Sequence, residues 1–219
     1  MNKVLVVAVH PDDETLGCGG TLLKHKSQGD NIHWLICTTM DKDDEYFEKR
    51  ENEIDIVSQM YDFDSVHRLH FIAKHLDEYS YSELIQRISD VFFEIRPNII
   101  YLPFKGDIHT DHKKVFDATI SCTKSFRAPF VKKLFMMETI SETDFSIGLK
   151  DSVFSPNAYF DISRYLEKKI EIMRVYQSEL SEHPFPRSEK NIRALATFRG
   201  AMCGCEYAES FMILREIDI

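Results

Sequence analysis

The chain predicts an α/β fold: a three-layer sandwich with a mostly parallel sheet flanked by helices and a small mixed extension at the C-terminal end. Three observations carry this. Apolar strand-like runs alternate with segments of helical period through the first half, the pattern of βαβ units with right-handed crossovers. The first run, Lys3 to Val9, is apolar without alternation, as a strand covered on both faces must be. The 219 residues, 43% hydrophobic and 29% charged, are enough for one substantial core without disulfides. We read 1–219 as a single domain, with no repeat, low-complexity tract or linker dividing it.

The elements follow in order. After the first strand, Thr15 to Gln28 reads as a helix. Gly17, Gly19 and Gly20 in it match neither a dinucleotide nor a P-loop pattern, so they read as close packing of helix on sheet. Gly29-Asp30-Asn31 is a turn, and Ile32 to Thr39 is a strand holding the only tryptophan, Trp34, as a core residue. A charged loop, Met40 to Asp44, follows on the rim where that strand ends. Glu45 to Tyr61 has helical spacing, and Ser65 to Ile72 is a third strand. His67 and His70 in that strand are three apart and face opposite sides, which makes them poor joint ligands. His75 and Asp77 in the next loop could reach a site on this rim. Ser82 to Ile95 is an amphipathic helix closed by Arg96-Pro97, and Asn98 to Leu102 is a strand. Lys113 to Ser125 is a helix and Lys133 to Glu138 a strand; 139–156 is a long loop fit to cover a pocket. Ala158 to Asp161 is an edge strand, Ile162 to Gln177 and Glu189 to Gly200 are helices, and Phe211 to Arg215 is a last strand.

Charge and cysteines exclude several functions. A net charge of −9 argues against a nucleic-acid partner or a polybasic membrane anchor. No apolar run approaches the ~20 residues that span a bilayer, and the start does not resemble a signal peptide. Cys18, Cys37, Cys122, Cys203 and Cys205 are odd in number with no Cys-x-x-Cys pair, so a thiolate zinc site is not expected. Cys203 and Cys205, two apart at a helix end, should point in different directions. Free core thiols in a reducing compartment suggest a cytoplasmic protein.

The chemistry concentrates in two turns. His10-Pro11-Asp12-Asp13-Glu14 ends the first strand. The acids alone could be a helix start complementing the helix dipole, but that does not explain His10. Asp107-Ile108-His109-Thr110-Asp111-His112 follows another apolar strand about a hundred residues on. Alone, it could be a solvated loop with a helix cap at Asp111. Together, two imidazole-and-carboxylate turns at strand carboxyl ends suit a zinc ion or a similar divalent metal. His10, Asp13 and His112 can supply the three protein ligands of a catalytic site, leaving Asp12, His109 and Asp111 for chemistry.

These motifs resemble those of the PIG-L or LmbE-like metal-dependent deacetylases, which act on N-acetylglucosamine-type substrates. The resemblance extends to Arg50 in Lys49-Arg50-Glu51-Asn52-Glu53, to Tyr176-Gln177-Ser178 and to Tyr207-Ala208-Glu209-Ser210-Phe211. It implies a Rossmann-like fold and one zinc ion per chain on His10, Asp13 and His112. It implies Asp12 as the general base, a protonated His109 beside the metal at the oxyanion, and Asp111 orienting His109 and raising its basicity. Arg50 is implied to donate to the substrate, against the plainer reading of a helical ion pair with Glu53 or Glu51. The implied substrate is a small N-acetylated sugar or conjugate. The alternatives are metal-dependent hydrolysis of another amide or an ester, phosphoesters being less attractive, and a non-catalytic sugar- or nucleotide-binding module. The oligomeric state stays open, with a homo-oligomer allowed.

Overall fold

A computed structural model describes residues 1–147 and 153–218. The parallel sheet begins with β1 (Lys3–Ala8), β2 (Asn31–Thr39), β3 (Ser65–Ile72), β4 (Ile99–Leu102) and β5 (Lys133–Met137). The last two strands are β6 (Ala158–Asp161) and β7 (Ala208–Glu216). All seven share one sheet in the order β3-β2-β1-β4-β5-β7-β6. β3 to β5 pair in parallel, and β7 and β6 pair antiparallel at one edge. The C-terminal extension therefore lengthens the main sheet rather than forming a second one.

The helices are α1 (Asp13–Ser27), α2 (Phe47–Tyr61), α3 (Tyr81–Ile95), α4 (Thr110–Ser121), α5 (Leu166–Met173) and α6 (Glu189–Cys203). They lie on both faces. Val4, Val6 and Ala8 of β1 enter one core with side chains of α1, α2, α5 and α6. Leu5, Val7 and Val9 enter the other with α3 and α4. The unbroken apolar run of β1 is explained by these two cores. Trp34 is fully buried in the first.

The glycines of α1 have the role expected of them. A Cβ on Gly17 would come within 2.9 Å of the Met137 Cβ, and one on Gly20 within 2.8 Å of Ile162. The helix thus sits tight against β5 and against the residue that follows β6. Its backbone is also fastened chemically. Glu209 of β7 accepts from the N–H groups of Gly20 (2.9 Å) and Thr21 (2.7 Å), and from Lys169 Nζ (2.7 Å). Lys169 also donates to the Leu16 carbonyl at 2.9 Å. Both side chains of this pair are buried.

Several boundaries differ from expectation. α1 begins two residues early, at Asp13, because the acids of the turn enter its first turn. α4 begins at Thr110 because His109 caps it: its Nδ1 accepts from the Asp111 N–H at 3.1 Å. His109 therefore takes the capping place expected of Asp111. α5 is shorter than its apolar period, and β7 starts earlier, at Ala208. Cys203 and Cys205 do not diverge. The left-handed Gly204 (φ 79) between them reverses the chain and brings their sulfurs to 3.4 Å.

Candidate metal centre and pocket

β1 and β4 are adjacent parallel strands, with Val6 opposite Tyr101. Their helices leave towards opposite faces of the sheet, so a crevice opens beyond their carboxyl ends. Both histidine-and-acid turns fall there. The His10 and His112 rings lie 5.4 Å apart, and those of His10 and His109 4.7 Å apart.

Each side chain is positioned by an identifiable contact. Asp13, in the first turn of α1, accepts on Oδ2 from the N–H groups of Val9 (3.0 Å) and His10 (2.9 Å), which fastens it across the end of β1. The same oxygen lies 3.4 Å from His112 Nε2. His112 is fully buried, and its Nδ1 lies 2.8 Å from Asp107 Oδ2. Thr143 donates to the other Asp107 oxygen at 2.7 Å. Among the described residues, buried His112 Nε2 has no hydrogen-bond partner. When the ring is neutral, a proton on Nδ1 facing Asp107 leaves Nε2 as the atom that can bind a cation, the arrangement a carboxylate–histidine pair imposes. One ligand atom each from His10, Asp13 and His112 lies within 4.8 Å of the others, and the same is true of His10, His109 and Asp111. The donor set of two imidazoles and a carboxylate suits a divalent transition metal.

The charges fit this picture. Burial alone would lower the His112 pKa, but the Asp13 and Asp107 carboxylates outweigh it and raise it to about 9. A cation at Nε2 would replace that proton as the partner of Asp13. Asp12 is buried, with backbone φ 130, a region that strains a residue bearing a Cβ. Burial and the Asp13 charge push its carboxyl well up, against the opposing guanidinium of Arg187, whose Nη1 lies 3.0 Å from Asp12 Oδ2.

Two expected interactions are different. The Asp111 carboxylate does not hold the His109 ring. Its Oδ2 accepts from the Lys74 N–H at 2.7 Å and lies 3.4 Å from His10 Nε2, because the start of α4 turns it towards β1 and the β3–α3 loop. Nor is His109 held protonated: burial, then the His10 charge, lowers its pKa to about 4. With Nδ1 accepting from the Asp111 N–H, the neutral ring carries its proton on Nε2 and remains a donor.

Arg50 is buried and its guanidinium is engaged by protein. It donates to the Pro11 carbonyl and to Ser178 Oγ, both at 2.8 Å, and to Glu179; its Nε lies 3.1 Å from Glu53. The ion pair with Glu53 is present, whereas Glu51 pairs with Arg68. Tyr176 donates to Glu14 Oε1 at 2.9 Å. The Tyr176-Gln177-Ser178 segment thus braces the first turn through Glu14 and Arg50. Away from the site, His75 is exposed beside Glu78, and His67 and His70 lie on β3 outside the pocket.

His10, Asp12, Asp13, Arg50 and His109 line a cavity of about 340 Å³, within the range of small-molecule sites. Met40 reaches it from the charged loop, and Thr139 to Glu142 from the 139–156 segment, of which 148–152 lie outside the described residues. Lys74, Glu142, Glu179 and Arg187 also line it. None of these four, nor Asp107 and Thr143 behind His112, was assigned from sequence. Asp107 could have been, since it lies inside the second motif; Arg187 and Glu179 sit in a turn-rich connector with no local signal.

A family model described as PIG-L: GlcNAc-PI de-N-acetylase matches residues 5–123. A diacetylchitobiose deacetylase of Thermococcus kodakarensis is 25% identical over 220 residues, 95% of this chain and 82% of that protein. Among solved structures, an N,N'-diacetylchitobiose deacetylase from Pyrococcus horikoshii has a TM-score of 0.78 at 21% identity, covering 98% of this chain and 84% of that one. A 4-carboxy-2-hydroxymuconate hydratase from Pseudomonas putida has a TM-score of 0.74 at 15% identity, covering 100% and 98%. The same architecture is therefore similar to enzymes of two reaction types.

Proposed function

Since the chain belongs to the PIG-L family of GlcNAc-PI de-N-acetylases, we propose that it is a zinc-dependent hydrolase that removes the acetyl group from an N-acetylated amino sugar or sugar conjugate. The observation that carries the reading is the orphaned Nε2 of buried His112, 3.4 Å from Asp13 and backed by Asp107. A buried polar atom without a partner is costly, and a cation removes that cost.

His10, Asp13 and His112 would hold the ion. When bound, zinc acidifies the attacking water and polarises the amide carbonyl. The remaining steps belong to the chain. Asp12 takes the proton of the water as it attacks the acetyl carbon, and delivers it to the amine nitrogen as the C–N bond breaks. Arg187 engages Asp12 Oδ2, so proton transfer falls to Oδ1. His109 donates from Nε2 to the developing oxyanion as a neutral imidazole. Asp111 fastens His10 and the β3–α3 loop rather than His109. Arg50 supplies a charged wall to the sugar subsite; direct donation to a hydroxyl requires it to release Ser178 or Glu179.

The test is free-amine and acetate release from N-acetylglucosamine and N,N'-diacetylchitobiose. Activity should vanish with chelator and return with one equivalent of zinc per chain. Protein inactive on a panel of N-acetyl amino sugars when loaded, but hydrating 4-carboxy-2-hydroxymuconate, would move the assignment to the other reaction type found on this fold.

A further inference from the structure

The turn between α6 and β7 carries two nucleophilic groups that the proposed hydrolysis does not use. Residues two apart on a helix do not face each other. Here Cys203 ends α6, Gly204 adopts φ 79, and Cys205 folds back so that the two sulfurs lie 3.4 Å apart. One feature holds that geometry and another lets it adjust. Gly200, one turn earlier, packs against the turn so closely that a Cβ there would lie 2.6 Å from the Glu206 carbonyl oxygen and 2.7 Å from that of Cys205. Around Gly204 itself a Cβ would meet nothing within 4 Å, so the linking residue has room to adjust. Cys203 is exposed and Cys205 half-buried, whereas Cys18, Cys37 and Cys122 are buried.

We propose that Cys203 and Cys205 form a reversible dithiol–disulfide site that reacts with small-molecule disulfides. The exposed Cys203 attacks first, as thiolate. Its sulfur bonds to one sulfur of the reagent, the reagent's S–S bond breaks, and one thiol leaves with the proton Cys203 gave up. Cys205 then attacks the Cys203 sulfur of the mixed disulfide. The new Cys203–Cys205 bond forms, and the second thiol leaves with the Cys205 proton. Two cysteine thiols are oxidised and one external disulfide is reduced to two thiols; a dithiol reductant reverses the exchange. Closing the bond brings the sulfurs from 3.4 Å to about 2.05 Å, a movement the open space at Gly204 accommodates. Burial, then the neighbouring Cys203 sulfur, raises the Cys205 pKa to about 11, which leaves the first attack to the exposed Cys203.

The experiment treats the native full-length protein with excess oxidised glutathione, quenches with acid, alkylates and maps peptides by mass. We expect the peptide holding residues 203–205 to lose two hydrogens and take no alkyl group, dithiothreitol to restore both thiols, and the three buried cysteines to stay reduced. In Cys205→Ser the glutathione adduct on Cys203 should persist, because nothing resolves it. In Cys203→Ser the adduct should form far more slowly. The proposal is overturned if both thiols are alkylated after oxidation, if the wild-type protein retains a glutathione adduct on Cys203, or if Cys205→Ser fails to accumulate one.

Discussion

At the residue scale, the site is a set of polar groups whose positions are over-determined by backbone contacts. Asp13 is fixed by two N–H donors and His112 by Asp107, so these two side chains are held in place by the fold itself. Asp12 is different: it is strained and buried, and among the described residues its side chain bonds only to Arg187. We expect Asp12→Asn to lower kcat by about 10²- to 10⁴-fold with metal content unchanged, as read by elemental analysis alongside turnover. His112→Ala should purify without metal. Asp107→Asn leaves His112 in place but weakens its orientation, and should reduce metal affinity by about 10- to 100-fold in a chelator competition. Unchanged affinity would place Asp107 outside the metal's supporting contacts.

At the scale of elements, α1 carries Asp13 of the candidate centre and is held at its middle and at its start. The buried Lys169–Glu209 pair grips its middle, and removing one partner leaves an uncompensated buried charge. Glu209→Ala should cost about 3–5 kcal/mol in urea unfolding. At its start, Glu14 accepts from Thr15, from Tyr176 and from the Asp12 N–H, yet burial outweighs these bonds and raises its pKa from 4.5 to about 7. Between those values the folded chain keeps a proton that the unfolded chain has released. Stability therefore falls as pH rises through this window, by about 3 kcal/mol in all. Glu14→Gln lacks this dependence. The difference in unfolding free energy between variant and wild type should grow in favour of the variant from pH 4 to pH 8, in chelator throughout; any constant offset from altered hydrogen bonding leaves that slope untouched. A flat difference would mean that Glu14 ionises normally in the fold.

At the scale of the whole molecule, the centre joins segments far apart in the chain. His10 and Asp13 come from the β1–α1 turn, and His112 from α4, with Asp12 tied to Arg187 in the connector before α6. A ligand that bridges them stabilises the whole domain. Saturating zinc, at about a hundred times its Kd, should add about 2.7 kcal/mol to the unfolding free energy and raise Tm accordingly. No shift in Tm on metal addition to chelated protein would mean that the three side chains do not act together. No helix among the described residues is long and apolar enough to cross a membrane.

Periodicity and local chemistry determined much of this: the strand–helix alternation, the buried first strand and the packing glycines of α1 were legible because each depends on neighbours in sequence. So were His10, Asp13, His109 and His112, since two imidazole-and-carboxylate turns at strand carboxyl ends are more than helix starts and caps require. Only the tertiary structure decided that β1 and β4 lie side by side, which brings the two turns to one crevice. It alone decided that Arg187, Glu179 and Asp107 join them, that Asp111 serves His10 rather than His109, and that Cys203 faces Cys205. The reason is physical: pairing and packing across long sequence separations follow from the summed burial of two cores, and no window of residues contains that sum.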